Sequence, residues 1–451
     1  MTQIVIGKET VVPFKITKNI SVADAIAIVA GMVIGPGIFK TPSIVAANSG
    51  SELITLGLWL VGGFISLIGA LCYAELASAY PHAGGEYHFL GKSFGKKIAF
   101  LFGWARMTII QTGSIAMLSF IIGDYASEAF YLGTYSSSIY AAITVLILTA
   151  VNVKGIKPSS KLQKTLMGGI LIGLAAIVLV GLLYSNSSQP GNTGKVNSEF
   201  ALGQAMIFVL LTYGGWNEAA YLSAEVKHKR AGIIKVLLYS IGLITTIYLI
   251  INFALIKGLG FENMPGSETV AADLFAKNLG DGWVRLISII IAVAAFSTVN
   301  AVMITGSRTN YALGQDFKNF KFLSDWKEKQ SAPVNAFLYQ SAIALLLIAL
   351  GTATRSGFVT MVEYTAPVFW FFFLLVGISL FILRKKEPER HRPFLVPLYP
   401  LIPFLFCLSA GYMLYSSLVY TGIGAVIGVL VLLCGLPFLL FNKPKNKENH
   451  L

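Results

Sequence analysis

Two stretches of this 451-residue chain carry chemistry that an uninterrupted apolar helix cannot offer. The first, Val33-Ile34-Gly35-Pro36-Gly37-Ile38, puts Gly-Pro-Gly in the middle of an apolar run. Proline removes an amide donor and glycine adds backbone freedom, so the run should unwind there. The second, Leu211-Thr212-Tyr213-Gly214-Gly215-Trp216, repeats the interruption with a glycine pair between aromatic and polar residues. Broken helices expose free amides and a positive dipole end, which attract a carboxylate. They also expose free carbonyls and a negative end, which hold an ammonium. An α-amino acid presents both groups. These twelve residues are therefore the candidate substrate-binding set. A single Gly-x-Gly is commonly explained by close helix packing; two interruptions so flanked are much harder to obtain from packing alone.

Unwound backbone inside a bilayer is tolerated only where it lines a cavity or is buried in protein, so the elements around the breaks must form a membrane bundle. Composition agrees: 55% of residues are hydrophobic, 12% are charged, and the mean hydropathy is +0.71. This excludes a soluble globular enzyme. Spanning helices need about 20 apolar residues. Twelve such runs are expected, at 20–47, 53–79, 96–123, 137–153, 162–184, 200–224, 232–257, 283–312, 334–351, 357–383, 396–418 and 422–441. The breaks fall in the first and the sixth, five helices apart, which is the pattern of inverted repeats around a midplane site. The expected fold is an all-α polytopic membrane protein with two inverted five-helix repeats and two peripheral helices. Its expected units are a tail (1–19), the first repeat (20–184), an external loop (185–198), the second repeat (199–383), a cytoplasmic loop (384–395), the last two spans (396–441) and a tail (442–451).

With both termini cytoplasmic, 27 of the 34 basic residues fall in cytoplasmic segments, as the positive-inside bias demands. That places the chain in a cell membrane, expected to be a prokaryotic inner one, and accounts for the net charge of +13 without nucleic acid. No cleavable signal precedes the first run. Cys72, Cys407 and Cys434 lie within apolar runs, so neither a disulfide framework nor a metal cluster is expected. No P-loop, metal spacing or nucleophile with a base is present. The chain is thus expected to be neither an enzyme nor an ATP-driven pump, and to need no cofactor.

The pieces Gly35-Pro36-Gly37-Ile38-Phe39 with Pro42, Ala74-Glu75-Leu76, Pro81, Gly84-Gly85-Glu86-Tyr87, Gly103-Trp104, Tyr213-Gly214-Gly215-Trp216-Asn217 with Glu225, Phe296-Ser297-Thr298-Val299-Asn300, Ser307-Arg308, Glu387-Pro388 and Arg392-Pro393 cover nearly the whole chain. In their order and spacing it resembles the amino acid-polyamine-organocation superfamily, and within it the L-amino-acid transporter branch, of prokaryotic type. The resemblance implies amino acid transport by alternating access, with the substrate carboxylate at the first break and its ammonium on carbonyls of both. Pro36 replaces a residue with a free amide, which leaves Gly37 and Ile38 to meet the carboxylate. Leu211 stands where the family usually has an aromatic gate, with Phe208 a turn earlier as a substitute; Gln111 and Trp370 are further gating candidates. The loop 124–136 lacks the cysteine by which eukaryotic members join a glycoprotein, so no disulfide-linked partner is expected. Ile170 occupies the position of a lysine that serves related sodium-independent carriers as a built-in cation. Carbonyls near Ala30 and Val33 with the Ser297 and Thr298 hydroxyls could hold Na⁺ instead, or the position could be apolar and uncoupled.

Charge inside the bilayer costs at least about 2.5 kcal/mol at a helix centre. Glu218, just past the second break, is a proton carrier, a contact for a cationic substrate, or a cap for freed amides. Arg106 reads as a snorkelling residue, Glu75 as a partner of loop lysines, and Lys40 as a partner of Glu363 in an external gate. The basic segment in 314–332 reads as a solvated loop touching the lipid surface. The leading expectation is a carrier of neutral amino acids working by exchange or cation-coupled uptake. Its rivals are a proton-coupled carrier of cationic amino acids or polyamines, and an amino-acid-sensing receptor, against which the short tail counts.

Overall fold

The computed structural model describes residues 22–82, 84–155, 160–184, 201–217, 229–328, 332–420 and 422–441. Glu218, Glu225, the external loop 185–198 and both tails lie outside the described residues. Among those described, regular structure is helical apart from one isolated bridge between Lys327 and Ala332. Among the described residues, eight helices are long and apolar enough to cross a membrane: Glu52–Ala79, Lys96–Ala129, Ser136–Val153, Gly232–Leu259, Asp281–Asp316, Val334–Thr354, Gly357–Lys386 and Leu401–Val419. Their outward faces carry large apolar side chains, such as Leu60, Phe64, Leu346 and Leu408, while Asn252, Ser288 and Gln340 are buried inside. Polar groups inside and apolar groups outside suit a hydrocarbon solvent.

The first run folds as α1 (Val22–Val33), a 3-10 turn (Pro36–Phe39) and α2 (Thr41–Ser49), with Gly35 extended between them. Proline at the first position of the turn supplies the φ that turn needs and lacks only an amide that would have no acceptor there. α3 (Glu52–Ala79) is capped by the Ser51 hydroxyl, which accepts from the Ile54 amide. A short helix, α4 (Glu86–Phe94), lies between α3 and the long helix Lys96–Ala129. On α4, burial and the stacked His82 ring, 4.2 Å away, push the His88 pKa down to about 4. His88 therefore stays neutral at pH 7 beside Lys92 and Arg390. The helix Lys96–Ala129 is continuous but contains a π-turn, Arg106–Ile110, between α5 (Lys96–Ala105) and α6 (Gln111–Ala129). The Tyr364 hydroxyl donates to the Thr108 carbonyl there at 2.9 Å. π-turns are frequent at functional sites.

α7 (Ser136–Val153) and α8 (Ser160–Leu183) follow. Then α9 (Leu202–Thr212) ends in the turn Tyr213-Gly214-Gly215, after which Trp216 and Asn217 resume helical conformation. α10 (Lys229–Leu259) packs on α1, α3 and α8. α11 (Val270–Leu279) buries Val270, Ala271, Leu274 and Phe275, so that segment is packed into the protein. α12 (Asp281–Asp316) packs on α6 and α8, and is followed by α13 (Val334–Thr354), α14 (Gly357–Lys386), α15 (Leu401–Val419), α16 (Ile423–Leu433) and α17 (Gly435–Phe441).

The structure corrects four expectations. Among the described residues Glu75 partners no loop lysine; its buried carboxylate meets Arg384 at 2.6 Å and Arg392 at 3.7 Å. The basic segment after α12 is not a solvated loop against lipid: Phe317, Phe320 and Leu323 are buried against Phe100 and Trp104. Its apolar positions recur every three residues, which a 3-10 turn (Lys318–Ser324) places on one side. Arg106 does not snorkel; it turns inward to pair with Glu86 at 3.0 Å. Lys40 does not meet Glu363. It pairs with Asp124 at 2.7 Å, whereas Glu363 accepts hydrogen bonds from the backbone of Gly422 and Gly424 at the start of α16. Amides at a helix start need an acceptor, and a carboxylate there also meets the positive dipole end.

Candidate functional site

The two breaks touch each other. Gly215 has φ of 103°, a left-handed conformation that favours glycine, and a methyl group placed on it would lie 2.7 Å from the Met32 carbonyl oxygen. Gly37 faces Thr212, whose hydroxyl would be 3.7 Å from such a methyl, an ordinary contact. The Thr41 hydroxyl lies 2.8 Å from the Thr212 hydroxyl and 3.0 Å from the Gly37 carbonyl. One side chain joins both breaks from outside them. The Tyr248 hydroxyl of α10 lies 3.1 Å from the Val33 carbonyl and 3.0 Å from the Thr212 carbonyl. It has one proton for two acceptors, so one carbonyl is always left wanting a donor. An ammonium could supply it.

Around this junction Tyr248, Tyr213 and Trp59 form an aromatic cage, with Trp59 centred 5.4 Å from Tyr248 and Tyr213 5.0 Å from it. The Tyr213 hydroxyl donates to the Trp59 carbonyl at 2.9 Å. All three are almost fully buried, which fixes the turn from behind. Tyr248→Phe is expected to keep the fold and weaken amino acid binding several-fold, because the hydroxyl that ties the two breaks to each other is lost. Thermal unfolding and equilibrium binding on the same preparation check this.

A cavity of about 60 Å³ lies beside the second break, lined by Ile110, Ser114, Ile207, Leu211, Val362, Thr365, Ala366, Phe369 and Trp370. Among the described residues, its wall is apolar except for the Ser114 and Thr365 hydroxyls, and no charged side chain lines it. Pro367, inside α14, withdraws an amide next to this wall. A larger hollow of about 610 Å³ sits at the Ala79 and Lys386–His391 surface, takes no residue from either break, and is not the candidate site.

Of the residues singled out from sequence, Leu211 and Trp370 line the cavity. Phe208 is buried a turn away, its ring stacked on Phe358 at 6.2 Å. Trp216 is stacked on Phe373 at 5.3 Å and edge-on to Tyr73, forming an aromatic layer with Phe406. Gln111 is absent from the cavity wall; it donates to the Val302 carbonyl of α12 at 2.8 Å. Val33, Ile34, Pro36 and Ile38 are buried at the first break, where Gly35 precedes the 3-10 turn, and Gly214 lies within the turn of the second. Ile170 is buried, and its neighbours Gly169 and Gly173 face Ala294 and Phe39. Ser297 and Thr298 follow Ala294 by three and four residues, on the same helix face. Of the carbonyls considered for Na⁺, that of Ala30 accepts from the Ile34 amide and that of Val33 from Tyr248.

Sequence reasoning missed Tyr248, Thr41, Ser114 and Thr365. Tyr248 carried a signal: a lone phenol in the apolar stretch 247–255 must find a buried acceptor.

Known proteins match this sequence along most of its length. The amino acid permease family model matches residues 20–438. The serine/threonine exchanger SteT of Bacillus subtilis (strain 168) is 28% identical over 427 residues, covering 93% of this chain and 95% of its own. The human large neutral amino acids transporter small subunit 2 is 28% identical over 433 residues, covering 93% of this chain and 79% of its own. The human Asc-type amino acid transporter 1 is 27% identical over 447 residues, covering 95% and 84%.

Proposed function

Because this chain belongs to the amino acid permease family and is a multi-pass membrane transporter of the amino acid-polyamine-organocation superfamily, we propose that it carries small neutral L-amino acids by exchange. The single observation that carries this reading is the meeting of two broken helices beside a small cavity whose wall, among the described residues, has hydroxyls but no charge. The breaks supply backbone partners for the amino acid's carboxylate and ammonium, and the cavity takes the side chain. An apolar wall with two hydroxyls accepts serine, threonine or alanine and leaves a lysine ammonium without a counter-charge. In this reading the chain crosses the membrane twelve times as two inverted repeats plus two peripheral helices. Both ends lie in the cytoplasm, so Lys40 faces outward and Arg106 inward, and no disulfide-linked subunit takes part.

Two features support exchange over sodium coupling. Ile170 presents an apolar side chain where related carriers hold a cation, and the Ala30 carbonyl already accepts from the Ile34 amide. Without a built-in cation, the substrate itself is the ligand that shifts the conformational balance. Proteoliposomes test this. Uptake of labelled L-serine is expected to rise several-fold when unlabelled serine, threonine or alanine is inside, whatever the Na⁺ or pH gradient. Uptake into empty vesicles driven only by Na⁺ or H⁺ contradicts exchange, and preferential uptake of lysine or putrescine contradicts the neutral class.

A further inference from the structure

Two buried polar clusters stand on one helix, at opposite ends of the cavity. At one end Lys40, the residue that follows the first break, donates to Asp124 and to the Glu268 carbonyl, each at 2.7 Å. The Lys40 and Asp124 side chains are 7% and 9% exposed. The other Asp124 oxygen accepts from Ser137, and the adjacent Tyr125 hydroxyl donates to the Phe39 carbonyl at 2.6 Å. Helix Lys96–Ala129 thus grips the end of the first break and the loop ahead of α11 together.

At the other end Arg106 donates to one Glu86 oxygen at 3.0 Å, and the second Glu86 oxygen accepts from Asn217 at 3.2 Å and from the Tyr73 hydroxyl at 3.4 Å. Asn217 is two residues past Gly215, so this cluster grips the helix that leaves the second break. Arg106 and Asp124 belong to the same helix, separated by about 27 Å at about 1.5 Å per residue. Ile110 and Ser114 of that helix line the cavity between them.

Physical chemistry gives each cluster two acceptable conditions. Closed, its charges are dry and paired; open, they are solvated. A half-broken pair leaves a bare charge in low dielectric, which is the costly condition. A cluster can therefore part only as water enters from its own side, and it releases one broken helix when it does. Packed elements that have discrete arrangements of this kind act as switches.

We propose that helix Lys96–Ala129 is the fixed member of two opposed latches, Asp124 holding Lys40, which in turn donates to the Glu268 carbonyl, on one face, Arg106 with Glu86 holding Asn217 on the other, and that the transport cycle releases them in turn. Lys40, Asp124, Glu86, Arg106 and Asn217 are positioning residues, since they act through the breaks and not on the substrate. The proposal rests on the carrier reading above.

Labelling of a thiol in the cavity tests it. The reporter is Ser114→Cys in the full-length chain with Cys72, Cys407 and Cys434 replaced by alanine, treated with a membrane-impermeant maleimide from either face of oriented vesicles. Asp124→Asn is expected to raise labelling several-fold from the Lys40 face only, and Arg106→Met from the Arg106 face only. The exchanged pair Lys40→Asp with Asp124→Lys is expected to restore the parent pattern, and Glu86→Gln, a milder change than Arg106→Met, to reproduce its one-sided effect. Folded variants with unchanged labelling, or with a rise from both faces alike, overturn the proposal. Labelling is read without amino acid, so it reports the latches whatever the cavity carries. Protection of the reporter by L-serine in the protein with both latches intact tests the carrier reading separately.

Discussion

Gly215→Ala is expected to lower amino acid exchange by about 100-fold or more, the cost of misplacing a reacting or binding group by about 1 Å, while Gly37→Ala retains much of the activity. Both glycines belong to broken helices, and from sequence alone they are equivalent. The structure separates them. At Gly215 a side chain is opposed twice: φ of 103° disfavours any L residue, and the added carbon would stand 2.7 Å from the Met32 carbonyl oxygen. Nothing there can yield except the backbone of the first break, which is the surface a substrate ammonium needs. At Gly37 the added carbon meets the Thr212 side chain at 3.7 Å, which requires no movement. The left-handed conformation costs roughly 1–2 kcal/mol for an L residue, so the Gly215 variant should remain folded and fail in binding. Size-exclusion profiles and exchange rates for both variants decide the matter; equal loss at both positions counts against the junction described here.

Glu75→Gln is expected to produce the largest loss of stability of any conservative substitution in the chain. Glu75 is fully buried in α3 and forms a two-pronged pair with Arg384 of α14, at 2.7 and 2.6 Å. Arg392 approaches to 3.7 Å, and the Val396 amide donates to the same carboxylate at 2.7 Å. The Arg384 guanidinium also lies 3.8 Å over the Tyr399 ring. One carboxylate thus ties α3, α14 and the approach to α15 together. An amide keeps its shape but removes the charge that offsets two guanidinium groups, and breaking such a pair costs about 3–5 kcal/mol. Protein stabilities are commonly about 5–15 kcal/mol in all, so the melting temperature in detergent should fall sharply. The double variant Glu75→Leu with Arg384→Met should lose less than Glu75→Gln, because it leaves fewer bare charges. Equal losses in the two, or none, contradict this assignment.

The breaks were legible in the sequence because glycine and proline act locally. Pro36 and Gly215 disturb a helix wherever it is packed, and the structure splits both runs at those residues. Charge partners were not legible, because pairing depends on which helices meet. Lys40 is 84 residues from Asp124, and nothing in either neighbourhood announces the other. Arg106 read as a snorkelling side chain because its distance from the helix end was visible and the inward face of its helix was not. The segment Lys318–Ser324 misled for a different reason: its lysines are conspicuous in a sequence, whereas Phe317 and Phe320 acquire meaning only beside Phe100 and Trp104. Tyr248 lies between these cases. Its need for an acceptor could be read, but that the acceptors were the two breaks could not.

The most direct measurement is competition for the exchange site by amino acids with one end blocked. Purified protein in liposomes is loaded with the neutral amino acid that gives the largest exchange signal, and uptake of the labelled form is challenged with that amino acid, its methyl ester and its N-acetyl derivative. If the two breaks hold a carboxylate and an ammonium through backbone groups, only the unmodified amino acid competes. If the ester or the N-acetyl compound competes as well as the parent, the junction of Gly37, Thr212 and Gly215 is not the substrate site.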